Sequence, residues 1–301
     1  MTAELIPAKV ITSYGSHGVV RTESGILLEC RYRRKIGRPF CGDNILIRAN
    51  YTAAEASLEK ILPRKSSFYR GDAQLHKHAV AANLEQIVIV VSPWPEPPVH
   101  LIDRYLVAVE YLQLRALLVL NKADLFDKYP TASAQLQSQL GYLQSLGYPT
   151  LETACKGAPG TTQLEHQLQD KCSILVGLSG VGKSSLINSI LPEKEIQTRA
   201  VSEATRKGTH TTTATTLYSL PVGGEIIDSP GVWEFGLWQM PGVDIERGFI
   251  DFDELRDNCR FSNCLHSHEP SCAVKQAVEA AQLPTSRYES YLQMLELFST
   301  E

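Results

Sequence analysis

No apolar run in this 301-residue chain approaches the roughly 18 residues that a membrane-spanning helix needs. The longest, IVIVV at 87–91 and ALLVL at 116–120, are strand-sized. The N-terminal stretch MTAELIPAKVITSYGSHG lacks the apolar centre of a signal peptide. A soluble, cytoplasmic protein with no membrane partner is expected. The chain has no internal repeat and no low-complexity segment, so a solenoid or a disordered tail is not indicated. Seven cysteines are too few and too scattered for a disulfide scaffold in a chain this long. Cys30, Cys41, Cys155 and Cys172 stand apart, and only Cys259, Cys264 and Cys272 are clustered.

Acidic residues are scarce where the chain begins. Residues 1–70 hold 12 Lys/Arg against 6 Asp/Glu, net +6, while the remainder holds 17 against 27, net −10. A basic segment on an acidic protein suits a polyanion partner, although a solvated basic face gives the same count. Residues 8–50 alternate apolar and polar positions between glycines, which predicts short strands closing into a small barrel of the five-stranded oligonucleotide-binding type. The run CRYRRKIGRPFCGD at 30–43 combines Arg31, Arg33, Arg34, Lys35 and Arg38 with two aromatic rings. Such side chains neutralise phosphates and stack on bases. LPRKSSFYR at 62–70 repeats the mixture with Arg64 and Lys65, as a further RNA contact or as a charged interdomain linker.

From residue 84 strand-like and helix-like stretches alternate, which predicts a mostly parallel sheet covered by helices. TTLYSLPVGGEIIDSPG then reads as two antiparallel strands, and Pro192 as the stop of the preceding helix. From about 245 the chain becomes helical around the cysteine cluster. SPWPEPP at 92–98 reads as a rigid loop without an assigned role.

Three motifs sit where these strands end. GLSGVGKSS at 177–185 matches G-x-x-x-x-G-K-[ST] between a strand and a helix. There the backbone of Gly177, Leu178, Ser179, Gly180, Val181 and Gly182 would surround phosphates. Lys183 would contact the β and γ phosphates, Ser184 would ligate Mg²⁺, and Ser185 would reach the α-phosphate. DSPG at 228–231 fits D-x-x-G. Asp228 would hold Mg²⁺ through water and the Gly231 N–H would sense the γ-phosphate, but an Asp that merely ends a strand fits the same letters. NKAD, Asn121, Lys122, Ala123 and Asp124, follows another strand. The Asp124 carboxylate can accept from guanine N1–H and the 2-amino group, whereas adenine would leave it unpaired, at a cost on the order of 1–3 kcal/mol. Asn121 would brace the loop and the Lys122 stem would cover the base. TAC, Thr153, Ala154 and Cys155, is similar to the short loop that offers a backbone N–H to guanine O6. GTPases usually run phosphate loop, switch I, D-x-x-G, N-K-x-D. Here the list starts at N-K-x-D and keeps its cyclic order, which is what a circular permutation produces.

NKAD, GLSGVGKSSLIN, GTHTTT, IIDSPGVWEFGLW and CRFSNCLHSHEPSCAV, in this order, resemble the signatures of the circularly permuted, small-ribosomal-subunit-dependent GTPases of the RsgA (YjeQ) family. The resemblance covers nearly the whole chain. It implies a multidomain protein: an all-β oligonucleotide-binding barrel over 1–70, a circularly permuted α/β P-loop GTPase over 71–244, and a small helical zinc domain over 245–301. It implies late maturation of the small (30S) subunit, contacts to 16S rRNA and ribosomal proteins, GTP hydrolysis stimulated by the subunit, and a monomer.

Cys259, Cys264, His266 and Cys272 form C-x4-C-x-H-x5-C, a Cys₃His set of the kind that holds one structural Zn²⁺. His268 is the competing imidazole, and the family spacing favours His266. The position after D-x-x-G, often Gln, is Val232, which cannot orient water. The resemblance assigns that task to His210 of KGTHTTT. Thr212, or Thr211 with the register slipped by one, would ligate Mg²⁺. A P-loop ATPase or kinase, and an RNA-binding scaffold with a structural nucleotide site, are the rival readings.

Overall fold

The structure, a computed structural model, describes residues 5–71, 74–154, 160–191, 215–229 and 237–300. Alternate burial shapes its N-terminal part. β1 (Ile6–Ser13), β2 (His17–Thr22), β3 (Leu27–Arg31), β4 (Asn44–Asn50) and β5 (Glu55–Ile61) each turn every second side chain inward. They pair in the order β1-β2-β3-β5-β4, and β4 returns to β1, so the five-stranded barrel closes. Val10, Val20, Leu28, Ile45, Ile47 and Leu58 fill it. A hairpin of β6 (Ser67–Gly71) and β7 (Lys77–Ala82) follows, where the sequence shows only a basic and aromatic mixture.

The α/β part then runs β8 (Gln86–Val91), α1 (Leu101–Tyr111), β9 (Arg115–Asn121), α2 (Pro130–Ser145), β10 (Thr150–Thr153), α3 (Thr161–Leu168), β11 (Cys172–Val176), α4 (Lys183–Ile190), β12 (Thr216–Ser219) and β13 (Glu225–Asp228). The sheet order is β10-β9-β8-β11-β13-β12, parallel except for β12. β8 is buried along its whole length, as a central parallel strand should be. Its Ile87, Ile89 and Val91 join the core containing α1 and α2, and its Val88 and Val90 join the core containing α3 and α4.

The C-terminal part carries α5 (Gly242–Arg247), α6 (Ala273–Glu279) and α7 (Thr285–Phe298). Phe249, Phe252, Tyr291, Met294 and Phe298 belong to the same core as α1. Gly248 passes so close to that helix that a Cβ there would lie 2.7 Å from the Val107 Cα. Arg287 of α7 donates to Asp103 of α1 at 2.5 Å and to Asp251 at 3.1 Å. The hairpin joins the same junction: the Lys77 ammonium lies 4.1, 5.0 and 4.9 Å from the ring centroids of Tyr69, Tyr111 and Trp238.

At the other end the barrel continues the sheet. β1 pairs with β12 at Thr12 and Thr216. Glu225 of β13 accepts Lys9 and Arg21 of the barrel, each at 2.5 Å. Among the described residues no helix is long and apolar enough to cross a membrane.

Candidate functional site

Strand direction assembles the site. β8, β9, β10, β11 and β13 are parallel, so the segments after them emerge along the carboxyl edge, where open α/β sheets bind ligands. NKAD follows β9, Thr153 and Ala154 end β10, the phosphate loop follows β11, and Asp228 ends β13.

One buried side chain joins three of these motifs. Asn121 Nδ2 donates to the Val181 carbonyl of the phosphate loop at 2.8 Å, and Asn121 Oδ1 accepts the Thr153 hydroxyl at 2.9 Å. Asn121 and Thr153 are 0% and 1% exposed, so these bonds are made out of water's reach. Lys122 Nζ donates to the Gly180 carbonyl at 2.5 Å and to the Trp94 carbonyl at 2.8 Å. The 92–98 loop is thereby tied to the same edge. Asp124 is exposed.

The phosphate loop needs glycine for a specific reason. Gly177 has φ +139°, and a Cβ there would run into the Val90 carbonyl of β8. Lys183 opens α4, donates to the Gly177 carbonyl at 2.7 Å and to the Leu178 carbonyl at 2.6 Å, and is 7% exposed. Burial pulls its pKa down to about 8, against the opposing charge of Asp228. A lysine so placed gains most from an anion beside it. Ser184 is half-buried and Ser185 exposed at the first turn of α4. Cys155, His210, Thr211, Thr212 and Gly231, with Val232 and Pro192, lie outside the described residues.

A second constellation sits in the C-terminal part. The ligand atoms of Cys259, Cys264, His266 and Cys272 all lie within 4.8 Å of one another. Cys259 and Cys272 Sγ are 3.9 Å apart, and His266 Nδ1 is 3.5 and 3.3 Å from them. A tetrahedral zinc ion with bonds of about 2.3 Å to sulfur and about 2.05 Å to nitrogen separates two sulfurs by about 3.8 Å and sulfur from nitrogen by about 3.6 Å. The donor set therefore fits such an ion in chemistry and in size. His266 belongs to this group of ligand atoms and His268 does not. The sequence reading missed what surrounds the cluster. His266 Nε2 lies 3.3 Å from Glu246 Oε1, which also accepts Arg256 Nε at 2.7 Å. Burial tends to raise the Glu246 pKa, but the hydrogen bonds from His266 and Arg256 outweigh it and hold the carboxyl below its ordinary value. Tyr288 and Tyr291 of α7 donate to the carbonyls of His266 and Leu265, each at 2.6 Å. No spacing rule links these residues to the cysteines.

The basic residues of the barrel divide. Arg34, Lys35, Arg38 and Lys65 are exposed. Arg31 and Arg33 are exposed but pair with Glu55 and Glu59, each at 3.3 Å. Arg64 turns inward: its guanidinium grips the buried Asp43 through two bonds of 2.7 Å and lies over the Phe40 ring.

A family model described as RsgA GTPase matches residues 61–238. The small ribosomal subunit biogenesis GTPase RsgA of Pseudomonas fluorescens is 43% identical over 268 residues, covering 89% of this chain and 77% of that relative. The protein of the same name from Azotobacter vinelandii is 42% identical over 290 residues, covering 95% and 84%. Among solved structures, YjeQ from Thermotoga maritima matches with a TM-score of 0.78 and 30% identity over 97% of this chain and 98% of that one. YloQ, titled a circularly permuted GTPase, matches with a TM-score of 0.73 and 27% identity over 97% and 94%. A sheet that gathers NKAD, the phosphate loop and Asp228 along one edge, in rotated chain order, defines a circularly permuted GTPase. The family match takes in that whole sheet together with the hairpin before it. The chain belongs to the RsgA GTPase family.

Proposed function

We propose that this protein binds the small (30S) ribosomal subunit during its late maturation and hydrolyses GTP to GDP and phosphate, with the subunit stimulating turnover. The observation that carries the reading is the Asn121 bridge, which brings the guanine-reading motif and the phosphate loop into one hydrogen-bonded unit. The names of the relatives, small ribosomal subunit biogenesis GTPase, support the partner. A working division is barrel 1–70, GTPase 71–244 and zinc domain 245–301, in a cytoplasmic monomer.

Asp124 accepts the guanine N1–H and 2-amino group, and backbone N–H groups of Ala154 and Cys155 meet O6. Ala123 and Lys122 flank the base. Backbone N–H groups of 177–182 and the Lys183 ammonium neutralise the phosphates, with Ser185 at the α-phosphate. Ser184, Thr212 or Thr211, and Asp228 through water, would hold Mg²⁺, which would supply further neutralisation of charge on the phosphates. Gly231 senses the γ-phosphate. Val232 leaves the attacking water without an amide to orient it, and His210 takes that place. The water oxygen attacks the γ-phosphorus, the bond to the bridging oxygen breaks, GDP leaves with the electron pair, and the water keeps one proton on the phosphate product and gives up the other to solvent. Arg31, Arg33, Arg34, Lys35, Arg38 and Lys65 face 16S rRNA. Arg64 shapes the barrel loop that presents them, because its own charge is spent on Asp43. Cys259, Cys264, His266 and Cys272 hold one structural Zn²⁺ that staples the last domain.

GTP turnover titrated with purified small subunits tests the reading. Wild-type turnover should rise with subunit. Lys183→Ala should lose basal and stimulated turnover, and His210→Ala should keep GDP affinity but lose the stimulation. Wild type and Lys183→Ala hydrolysing equally slowly with and without subunits would refute it in favour of a scaffold.

A further inference from the structure

We propose that Glu246 is the positioning residue of the metal centre, holding the His266 ring so that Nδ1 is the nitrogen offered to the metal; this rests on the zinc reading of the Cys₃His cluster. The two ring nitrogens of His266 have different neighbours. Nδ1 faces the sulfurs of Cys259 and Cys272 at 3.5 and 3.3 Å, and Nε2 faces Glu246 Oε1 at 3.3 Å. A neutral imidazole carries one N–H and one lone pair, and an ionised carboxylate can only accept. Glu246 therefore selects the tautomer with its proton on Nε2. The lone pair is left on Nδ1, where a metal ion between the thiolates needs it.

Glu246 is suited to this task by where it stands. It lies on α5, outside the segment that carries the four ligands. It is 3% exposed, and Arg256 Nε holds the same oxygen at 2.7 Å, so the carboxylate is fixed before any metal arrives. The remaining contacts of His266 act on other parts of the residue. Its carbonyl accepts Tyr288, and Phe252 and Tyr291 pack against its ring at centroid distances of 5.7 and 6.2 Å. These set the ring's location. The contact at Nε2 sets which edge of the ring faces the sulfurs. The backbone of His266 is held at φ +57°, in the left-handed region.

The test uses the full-length protein loaded with one equivalent of zinc. Zinc affinity is measured by competition with a chromogenic chelator for wild type, Glu246→Gln and Glu246→Ala. Removal of an outer partner of this kind lowers metal affinity by about 10–100-fold, which is the expectation for Glu246→Ala. Glu246→Gln keeps an acceptor oxygen and should rescue affinity to within about threefold of wild type, since the carboxamide oxygen can still take the Nε2 proton. Long-range ¹⁵N–¹H spectra of imidazole-labelled wild type and Glu246→Gln should show the His266 proton on Nε2 and the ligated nitrogen at Nδ1. That readout does not depend on the alanine variant folding. Ligation through Nε2, or wild-type zinc affinity in Glu246→Ala, would overturn the proposal while leaving the zinc reading intact. A wild-type protein that binds no zinc would overturn both.

Discussion

Replacing Arg287 with methionine should uncouple the C-terminal part from the GTPase sheet. The guanidinium is 4% exposed and holds Asp103 of α1 through Nη1 at 2.5 Å. Its Nε and Nη2 hold the two oxygens of Asp251, each at 3.1 Å, and its flat face lies 4.2 Å from the Phe249 centroid. Burial works against the charge, but the two aspartates outweigh it, and the guanidinium's pKa is held above its ordinary value. Methionine has a similar reach and no charge, so Arg287→Met leaves two carboxylates buried with no counter-ion. Removing one partner from a buried ionic set costs about 3–5 kcal/mol. With a urea slope of about 3 kcal/mol per molar, the unfolding midpoint should fall by about 1–1.7 M. Neutralising the stranded groups in the triple variant Arg287→Met, Asp103→Asn, Asp251→Asn should restore a large part of the loss, because a neutral set needs no counter-ion. Hydrogen exchange should quicken in α7 more than in β8 and β9. A midpoint within about 0.3 M of wild type, near 1 kcal/mol on that slope, or a triple variant less stable than the single one, would refute this account of the junction.

Lys183 makes nucleotide binding pH-dependent. Its pKa of about 8 in the free protein must rise beside phosphate anions, so the complex takes up a proton above pH 8 and affinity for GDP should fall as pH rises from 8 to 9; titration with a fluorescent GDP checks this, and constant affinity across that window contradicts it. Asn121→Ala should weaken GDP binding by about 5–150-fold, the equivalent of 1–3 kcal/mol, because the Val181 carbonyl and the Thr153 hydroxyl lose their buried partner; unchanged binding would show that the motifs hold their places without it.

The alternating runs of 8–50 were legible as a barrel because half-buried strands show their period directly. The parallel strands were legible as continuous apolar runs bounded by motifs. The motif letters located NKAD and the phosphate loop, and their cyclic order anticipated the permutation. The motif gives Asn121 a bracing role but does not name its partners. Asn121 meets Thr153 and Val181 across long stretches of chain, and no local pattern encodes which carbonyl an amide will find. The hairpin at 67–82 was hidden because its first strand continues the basic and aromatic mixture of 62–70, which reads equally well as a linker. Arg64 reads as one more surface cation, yet its pairing with Asp43 depends on the barrel bringing the two together. Glu246 and Arg287 were invisible for the same reason: each is an ordinary charged residue of a helix until the fold supplies its partners.

The pairing of β1 with β12 makes the barrel the end-stop of the GTPase sheet. Unpaired backbone groups on a sheet edge invite an extended chain to add to it, and Thr12 occupies the first position of the β12 edge. The barrel and the GTPase sheet are therefore not beads on a string: cutting away the barrel would remove the strand beside Thr216 and both cations on Glu225. The seam also sets a geometry. Two residues separate KGTHTTT from β12, and the neighbour of β12 in space is a stave of the barrel, held by Lys9 and Arg21 on Glu225. A shift of β12 would reach the barrel through that one backbone pair and those two ion pairs.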